Sequence, residues 1–267
     1  MSEILILAAF LSLGLFLLAG RQRNYAAIGG WTLIVLNLFS EVPAYLSSDN
    51  FLYPLLALLS IPFLAITARA LLRDDPVALR LTQSAAVAMI IYVPFAFIPE
   101  VHDALIRNVV HEAFWIIRAL GHHPQMPAWN IIVENGFANQ IVLGCTGITA
   151  ISMMLGFVAG VPKLSWRQGA GAFLLIVPLL YLLNLLRVAV VFIAVSGAWF
   201  RSFPNLSPDR GLGATDFFWA HNVFAEALAI VALVVLVIGL SRLVPGIRVY
   251  VRELVNLYTR DILACFR

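Results

Sequence analysis

The sequence predicts an all-α membrane protein: a polytopic bundle of about seven transmembrane helices, with an amphipathic helix and a short hairpin-like loop outside the bilayer. Hydrophobic residues make up 62% of the 267 positions and charged residues 12%, whereas soluble domains carry about a quarter charged residues. The apolar residues form runs of roughly 20, the length that crosses a hydrocarbon core of ~30 Å. A single membrane domain over residues 1–267 is therefore expected.

Short polar breaks that contain arginine or proline separate the apolar runs. The predicted spans cover residues 4–20, 25–45, 51–72, 81–99, 146–161, 169–196 and 217–243. The first run has no basic region before it and no small-residue cleavage site after it, so it is interpreted as a span and not as a removable signal peptide. Residues 244–267 form an amphipathic tail, in which Cys265 is expected to be inert.

Basic residues fall on alternate loops and predict the orientation. The loops after spans one, three, five and seven carry Arg21 and Arg23, Arg73 and Arg80, Lys163 and Arg167, and Arg242, Arg248 and Arg252. By the positive-inside rule these loops and the carboxyl-terminal tail are cytoplasmic, and the protein lies in the cell (plasma) membrane. The net charge of +3 is too small and too dispersed to indicate nucleic acid as a partner.

Residues 100–143 form the one long segment outside the bilayer. Leu105, Val109, Phe114 and Ile117 stand at near-helical spacing and predict an amphipathic helix along the membrane surface. β-prone runs then flank Asn135-Gly136, which predicts a short hairpin over the outer mouth of the bundle.

Cys145 stands in Gly144-Cys145-Thr146-Gly147, where the outer loop becomes the fifth span. Unpaired backbone N–H groups at a helix amino terminus favour an anion and lower the pKa of a thiol. Cys145 is therefore a candidate nucleophile, although cysteine is also a common small buried apolar residue.

Arg187 interrupts the apolar sixth span. A charge at the centre of a span costs at least about 2.5–3.5 kcal/mol on insertion scales, so an intramembrane arginine is a functional candidate. Asn184, one turn earlier, faces the same side of the helix and can bind Arg187 or a substrate. Glu226 lies at a similar depth in the seventh span, so a purely structural Arg187–Glu226 pair is the competing interpretation.

His221 stands near the outer end of the seventh span and has a titratable imidazole. A lone histidine beside aromatic residues is usually structural, but the predicted topology brings Cys145, Arg187 and His221 toward the same leaflet. A thiolate, a fixed cation and an imidazole together can carry out acyl transfer.

Three motifs resemble the exosortase/archaeosortase family of membrane cysteine transpeptidases. They are Gly144-Cys145-Thr146-Gly147-Ile148, Asn184-x-x-Arg187 and Ala220-His221-Asn222, each on a span near the predicted outer face. The resemblance covers roughly residues 129–240, and the first four spans match only as hydrophobic helices. Within that family the third catalytic position is His or Arg.

The resemblance implies cleavage of the carboxyl-terminal sorting signal of a surface protein, which comprises a short motif, a transmembrane helix and a basic cluster. In the archaeosortase branch the motif is Pro-Gly-Phe, and the cut protein, such as an S-layer glycoprotein, passes to a membrane lipid. It further implies that Cys145 forms a thioester, Arg187 stabilises negative charge and His221 serves as acid and base, without a metal or cofactor. Thr146, Asn184, Asn222 and Glu226 are supporting candidates, and Trp129 is a candidate for binding the signal.

Three other function classes remain open from the residues alone. A transporter or channel would use Arg187 and Glu226 as a charge-paired gate or anion site. A metal-dependent intramembrane protease would use the outer-loop residues His102, His111, Glu112, His122 and His123, but His-Glu-x-x-His spacing does not occur in the sequence. A structural subunit is a further alternative, and the sequence does not predict the oligomeric state.

Overall fold

Helices make up most of the computed structural model, which describes residues 2–18, 20, 22–47, 50–206 and 213–265. The helices in these ranges are α1 (Ser2–Leu18), α2 (Arg23–Ser47), α3 (Leu52–Leu72), α4 (Pro76–Phe97), α5 (Pro99–Ala119), α6 (Ile148–Ala159), α7 (Trp166–Ser196), α8 (Ala214–Phe217), α9 (Glu226–Leu243) and α10 (Gly246–Cys265). Arg21 and the side chain of Cys265 lie outside the described residues. The predicted all-α class is confirmed.

Five described helices are long and apolar enough to cross a membrane: α2, α3, α4, α7 and the continuous helical run Ala214–Leu243. Helices α1 and α6 are apolar but have 17 and 12 residues, fewer than the roughly 20 that a span requires. A polytopic membrane protein is thus confirmed, whereas the number seven stays a prediction.

Helix α4 begins at Pro76 and not at Leu81, the predicted start of the fourth span. The cause is local, because the Asp75 carboxylate accepts a hydrogen bond from the backbone N–H of Val77 at 2.8 Å and caps the helix. Proline suits the first helical position because it has no N–H to leave unpaired. At its other end α4 stops at Phe97, and Pro99 already belongs to α5.

The chain divides into two compact units, and the first comprises residues 1–93, 152–173 and 237–267. Within it α6 lies against α4 at two glycines one turn apart, Gly156 and Gly160. A methyl group at either position would overlap Ser84, at its carbonyl oxygen or at its hydroxyl. This is the small-x-x-x-small packing of membrane helices, in which missing side chains allow backbones to approach closely.

The carboxyl-terminal helix α10 is anchored in the same unit by two tyrosines. Tyr250 is fully buried, stacks on Phe157 with ring centroids 5.2 Å apart, and its hydroxyl lies 3.1 Å from Ser84 Oγ. The hydroxyl of Tyr258 lies 2.7 Å from Thr67 Oγ1, and burial raises the pKa of Tyr258 to about 12. The predicted amphipathic tail is therefore a packed helix.

The second unit comprises residues 94–151 and 174–236. Its core forms where one apolar stripe of α5 packs against one face of α7, as helical spacing of apolar residues dictates. The buried residues are Ile106, Val109, Val110, Ala113, Ile117, Ile132, Ile141, Leu185, Val188, Ala189, Phe192 and Ile193. The predicted helix over the first half of the outer loop is thus confirmed.

The second half of that loop forms a three-stranded antiparallel sheet in the order β1 (Gln125–Ala128), β2 (Ile131–Glu134) and β3 (Phe137–Gln140). The predicted hairpin is confirmed: Asn135 and Gly136 have φ angles of 52° and 80°, as a type I′ turn requires. Strand β1 was not predicted, because its sequence does not alternate and contains Pro127. Proline is tolerated there because β1 is an edge strand.

Polar contacts attach this sheet to the end of α7. Asn135 donates from Nδ2 to the carbonyl oxygen of Ser196 at 3.2 Å, and the Ser196 hydroxyl donates to Glu134 at 3.4 Å. The Glu134 carboxylate also accepts from the backbone N–H of His123 at 2.7 Å. The sheet is therefore held at a defined position on the helix that carries Asn184 and Arg187.

Candidate active site

Cys145 lies in a tight turn between the sheet and α6. The chain leaves β3, buries Ile141 completely and then forms a 3₁₀ turn over Leu143–Cys145. The backbone N–H of Cys145 donates to the carbonyl oxygen of Val142 at 2.8 Å. The half-buried cysteine packs against the core between α5 and α7. Its position just before α6 agrees with the predicted start of a helix.

Thr146 and Gly147 shape the passage from this turn into α6. Thr146 is completely buried, and its hydroxyl donates to the carbonyl oxygen of Leu143 at 2.7 Å. Gly147 has φ = +79°, a region that side chains disfavour. A Cβ on Gly147 would lie 3.0 Å from Cβ of Asn184. Gly147 therefore allows the turn to approach α7, a role that the sequence motif alone does not indicate.

Asn184 holds the backbone of the candidate nucleophile. Its side-chain amide is buried and donates from Nδ2 to the carbonyl oxygen of Cys145 at 2.8 Å. A buried carbonyl that loses its partner is left with the full cost of desolvation. Asn184 thus orients Cys145, a contact different from the bond to Arg187 or substrate that the sequence indicated.

Arg187 follows Asn184 by three residues, so the two side chains lie one above the other on α7. Its Nη2 atom lies 3.2 Å from Nε2 of His221. Its Nε atom is buried and has no hydrogen-bond partner among the described residues. This Nε–H group lies inside an apolar span, where a hydrogen-bond acceptor on a bound molecule would supply the missing partner.

His221 lies in a π-helical turn, Phe218–Ala225, that joins α8 to α9. π-Helical turns are rare in proteins, and those that do occur are frequently found at functional sites. The imidazole stacks on Phe217 with ring centroids 4.7 Å apart and an angle of 10° between the planes. Its Nδ1 atom lies 2.9 Å from Oδ1 of Asn222. Nothing in the local sequence predicts the π-helical turn.

Two of the predicted site residues, Asn184 and Arg187, therefore make separate contacts from neighbouring positions on one turn of α7. Asn184 binds the Cys145 backbone, and Arg187, about 4.5 Å further along the helix axis, binds His221. The arrangement combines a thiol on an oriented turn, a cation with an available N–H donor and an imidazole. These are the groups that nucleophilic acyl transfer requires.

Glu226 and Trp129 occupy other positions. Glu226 begins α9, and the ion pairs among the described residues do not include an Arg187–Glu226 contact. Arg187 contacts His221 instead. Trp129 is exposed at the end of the sheet, where the Arg107 guanidinium lies 5.4 Å from its ring centroid. Its predicted role in binding the signal stays a prediction.

The outer-loop histidines are spread over separate contacts. His122 lies 3.0 Å through Nδ1 from the Glu134 carboxylate, and His102 contacts a backbone carbonyl. His111 and Glu112 line a cavity of about 500 Å³ on the exposed face of α5. In the described part of the chain, no three His, Cys, Asp or Glu side chains are arranged to hold a metal ion.

Comparison with known proteins places this site in a family context. The family described as Transmembrane exosortase matches residues 2–201, a range that includes Cys145, Asn184 and Arg187 and ends before His221. The chain is similar to archaeosortase A of Haloferax volcanii, with 25% identity over 270 residues, 91% of this chain and 86% of that protein. It is also similar to archaeosortase A of Natronomonas pharaonis, with 30% identity over 202 residues, 69% of this chain and 64% of that protein. No solved structure matches.

Proposed function

Because this chain belongs to the transmembrane exosortase family, we propose that it is a membrane-embedded cysteine transpeptidase or peptidase with Cys145 as its nucleophile. Its substrates are surface proteins whose carboxyl-terminal sorting signal contains a short motif, a transmembrane helix and a basic tail. The two archaeosortase A relatives support this substrate class and, through the resemblance, a Pro-Gly-Phe motif.

The observation that carries the proposal is the state of the Arg187 guanidinium. One N–H group is engaged by His221, while Nε–H is buried without a partner among the described residues. Buried donors are nearly always satisfied, so an acceptor from a substrate is the natural partner of Nε. A scissile carbonyl that becomes an oxyanion fits this role, since preorganised donors act most strongly where charge develops.

The chemistry assigns one task to each side chain. The Cys145 sulfur attacks the scissile carbonyl carbon, and its proton passes to His221. The tetrahedral oxyanion is stabilised by Arg187. Collapse then breaks the C–N bond, His221 returns the proton to the leaving amine, and a thioester remains on Cys145. An acceptor nucleophile, a membrane lipid in transpeptidation or water in hydrolysis, attacks the thioester and regenerates the thiol.

The substrate is already in the membrane, which suits a site built on membrane helices. A substrate helix anchored in the bilayer presents the bond beside it at a defined depth, so binding becomes a search in two dimensions. We place the site toward the extracytoplasmic face and the carboxyl terminus in the cytoplasm, because basic residues concentrate on the alternate loops. Surface proteins such as S-layer glycoproteins would meet the enzyme on that side.

The test uses purified protein in liposomes and a tagged substrate that ends in Pro-Gly-Phe, a transmembrane helix and a basic tail. Wild type is compared with Cys145→Ala, Arg187→Ala and His221→Ala, and with Arg118→Ala on the exposed face of α5 as a matched control. Mass spectrometry reports the cleaved bond and any acyl adduct on Cys145.

The proposal expects cleavage beside the motif by wild type and by the Arg118→Ala control, and loss of cleavage in the three site variants. Undiminished cleavage by Cys145→Ala would remove the thiol mechanism. A folded wild type that cleaves neither this substrate nor a variant with a changed motif would instead favour the transporter interpretation, which predicts flux that survives Cys145→Ala.

A further inference from the structure

Both ring nitrogens of His221 have a side-chain partner. Nε2 lies 3.2 Å from Nη2 of Arg187, and Nδ1 lies 2.9 Å from Oδ1 of Asn222. Stacking on Phe217 fixes the plane of the ring between them. The imidazole is therefore held in one orientation, and each nitrogen has one defined hydrogen-bonding role.

The identities of these partners determine where the proton sits. A guanidinium has five N–H donors and no acceptor, so Nε2 of His221 accepts the bond from Arg187. A neutral imidazole that accepts at Nε2 carries its proton on Nδ1. Nδ1–H then donates to the amide oxygen of Asn222, which is an acceptor. The two contacts thus agree on a single tautomer.

The contact between His221 and Asn222 lies within the π-helical turn. In an α-helix the side chains of consecutive residues point in different directions and do not face each other. These two residues lie inside the π-helical turn Phe218–Ala225, where hydrogen bonds span five residues and the rotation per residue is smaller. The hydrogen bond between the histidine and its own neighbour is therefore formed on a backbone that is not α-helical.

We propose that Asn222 is a positioning residue that keeps His221 in the Nδ1–H tautomer, so that Nε2 retains the lone pair that receives a proton during catalysis. The inference rests on the proposed function, because it assigns the proton acceptor of that reaction. With the opposite tautomer Nε2 would already carry a hydrogen before the reaction starts and would be unable to accept the proton of Cys145. Nδ1–H stays bound to Asn222 throughout the reaction.

The inference separates two properties of the Asn222 side chain, its size and its oxygen. Asn222→Leu keeps similar volume and removes the acceptor, whereas Asn222→Asp keeps an acceptor oxygen beside Nδ1 and removes the amide donor. In serine proteases, loss of the group that sets the histidine tautomer lowers kcat by about 10⁴. With a neutral amide as orienting group, we expect a fall in kcat of at least about tenfold in Asn222→Leu, with KM within about twofold of wild type.

The experiment measures cleavage of the sorting-signal substrate in liposomes by wild type, Asn222→Leu, Asn222→Asp and the exposed-site control Asn108→Leu. Proteins labelled with ¹⁵N-histidine give a separate readout, because the nitrogen shifts of a neutral imidazole distinguish the two tautomers. The His221 signals are identified by their loss in His221→Gln.

The proposal expects Nδ1–H signals for His221 in wild type and Asn222→Asp, a changed tautomer in Asn222→Leu, and a kcat that falls only in Asn222→Leu. It is overturned if Asn222→Leu cleaves like wild type, if Asn222→Asp loses as much activity as Asn222→Leu, or if the tautomer is unchanged in Asn222→Leu. Failure of the proposed function is distinct, since wild type itself would then show no cleavage that depends on Cys145.

Discussion

Replacing Arg187 by lysine tests whether the guanidinium acts through its geometry or only through its charge. Lysine preserves the positive charge and places three donors on one atom, whereas arginine places donors at separate points of a rigid fork. In this protein Nη2 is engaged by His221, while Nε is buried without a hydrogen-bond partner among the described residues. A single ammonium group cannot occupy both positions.

The size of the effect follows from the donor that is lost. Removing one donor to a developing oxyanion lowers kcat by about 10²–10³, or about 2.7–4 kcal/mol of transition-state stabilisation. If the lysine ammonium keeps the contact with His221, no hydrogen-bond donor remains at the position that Nε occupies in the wild type. If it moves toward the substrate, His221 loses the partner that holds Nε2. Either way we expect Arg187→Lys to retain at most about 1% of the wild-type kcat.

The assay follows initial cleavage rates of the tagged sorting-signal substrate at several concentrations in liposomes. Quenched samples analysed by mass spectrometry give the rate at which the acyl adduct forms on Cys145, which isolates the step that develops the oxyanion. Arg118→Lys provides the matched control, because its guanidinium lies outside the site, 5.4 Å from the ring centroid of Trp115. Thermal unfolding in detergent shows whether each variant remains folded.

A folded Arg187→Lys protein that cleaves within threefold of wild type would refute the reasoning, because charge alone would then suffice. Loss of activity together with a large fall in unfolding temperature would assign Arg187 a packing role. The geometric role predicts slow acylation in a protein that unfolds close to the wild-type temperature.

Three further substitutions test the supporting contacts. Asn184→Leu removes the 2.8 Å bond to the Cys145 carbonyl and should lower the free energy of unfolding by about 1–3 kcal/mol, together with slower acylation, as measured by denaturation and adduct formation. Gly147→Ala places a side chain at φ = +79° and 3.0 Å from a neighbouring Cβ; we expect about 1–2 kcal/mol of destabilisation from the backbone alone and reduced cleavage. Tyr250→Phe removes one hydroxyl contact with Ser84 and should lower the unfolding free energy by about 0.5–1.5 kcal/mol without changing kcat. Equal cleavage by wild type and Gly147→Ala, or an activity loss in Tyr250→Phe, would contradict these assignments.

Much of the fold was predictable because hydrophobic length and turn chemistry are local signals. The apolar runs predicted the long helices. Asn135-Gly136 predicted the hairpin, since both residues adopt positive φ at low cost in energy. The start of α4 was harder to predict, because a hydropathy pattern does not include the hydrogen bond to Asp75 that caps the helix. Strand β1 was missed because Pro127 argues against a strand unless its edge position is known.

The candidate site was predictable as a set of residues and not as a set of contacts. An intramembrane arginine is conspicuous because of its transfer cost, and it led to Asn184, three residues earlier. The contact between Asn184 and the Cys145 carbonyl depends on the shape of a 3₁₀ turn and on Gly147. A pattern of residue types carries no information on such distances. The π-helical turn at His221 could not be predicted from the sequence for the same reason.

In the proposed mechanism, the contact between Arg187 and His221 divides the chemistry between two residues. In a site built from cysteine and histidine alone, the imidazole must serve both as the base and, once protonated, as the cation beside the thiolate. Here a permanent cation lies 3.2 Å from Nε2, so positive charge is present without protonation of His221. The imidazole is then free to act as a neutral base, provided that its tautomer leaves Nε2 unprotonated. If the proposed division holds, substitutions of Arg187, His221 and Asn222 should each lower the rate of cleavage, and Asn222 should do so only through the tautomer of His221.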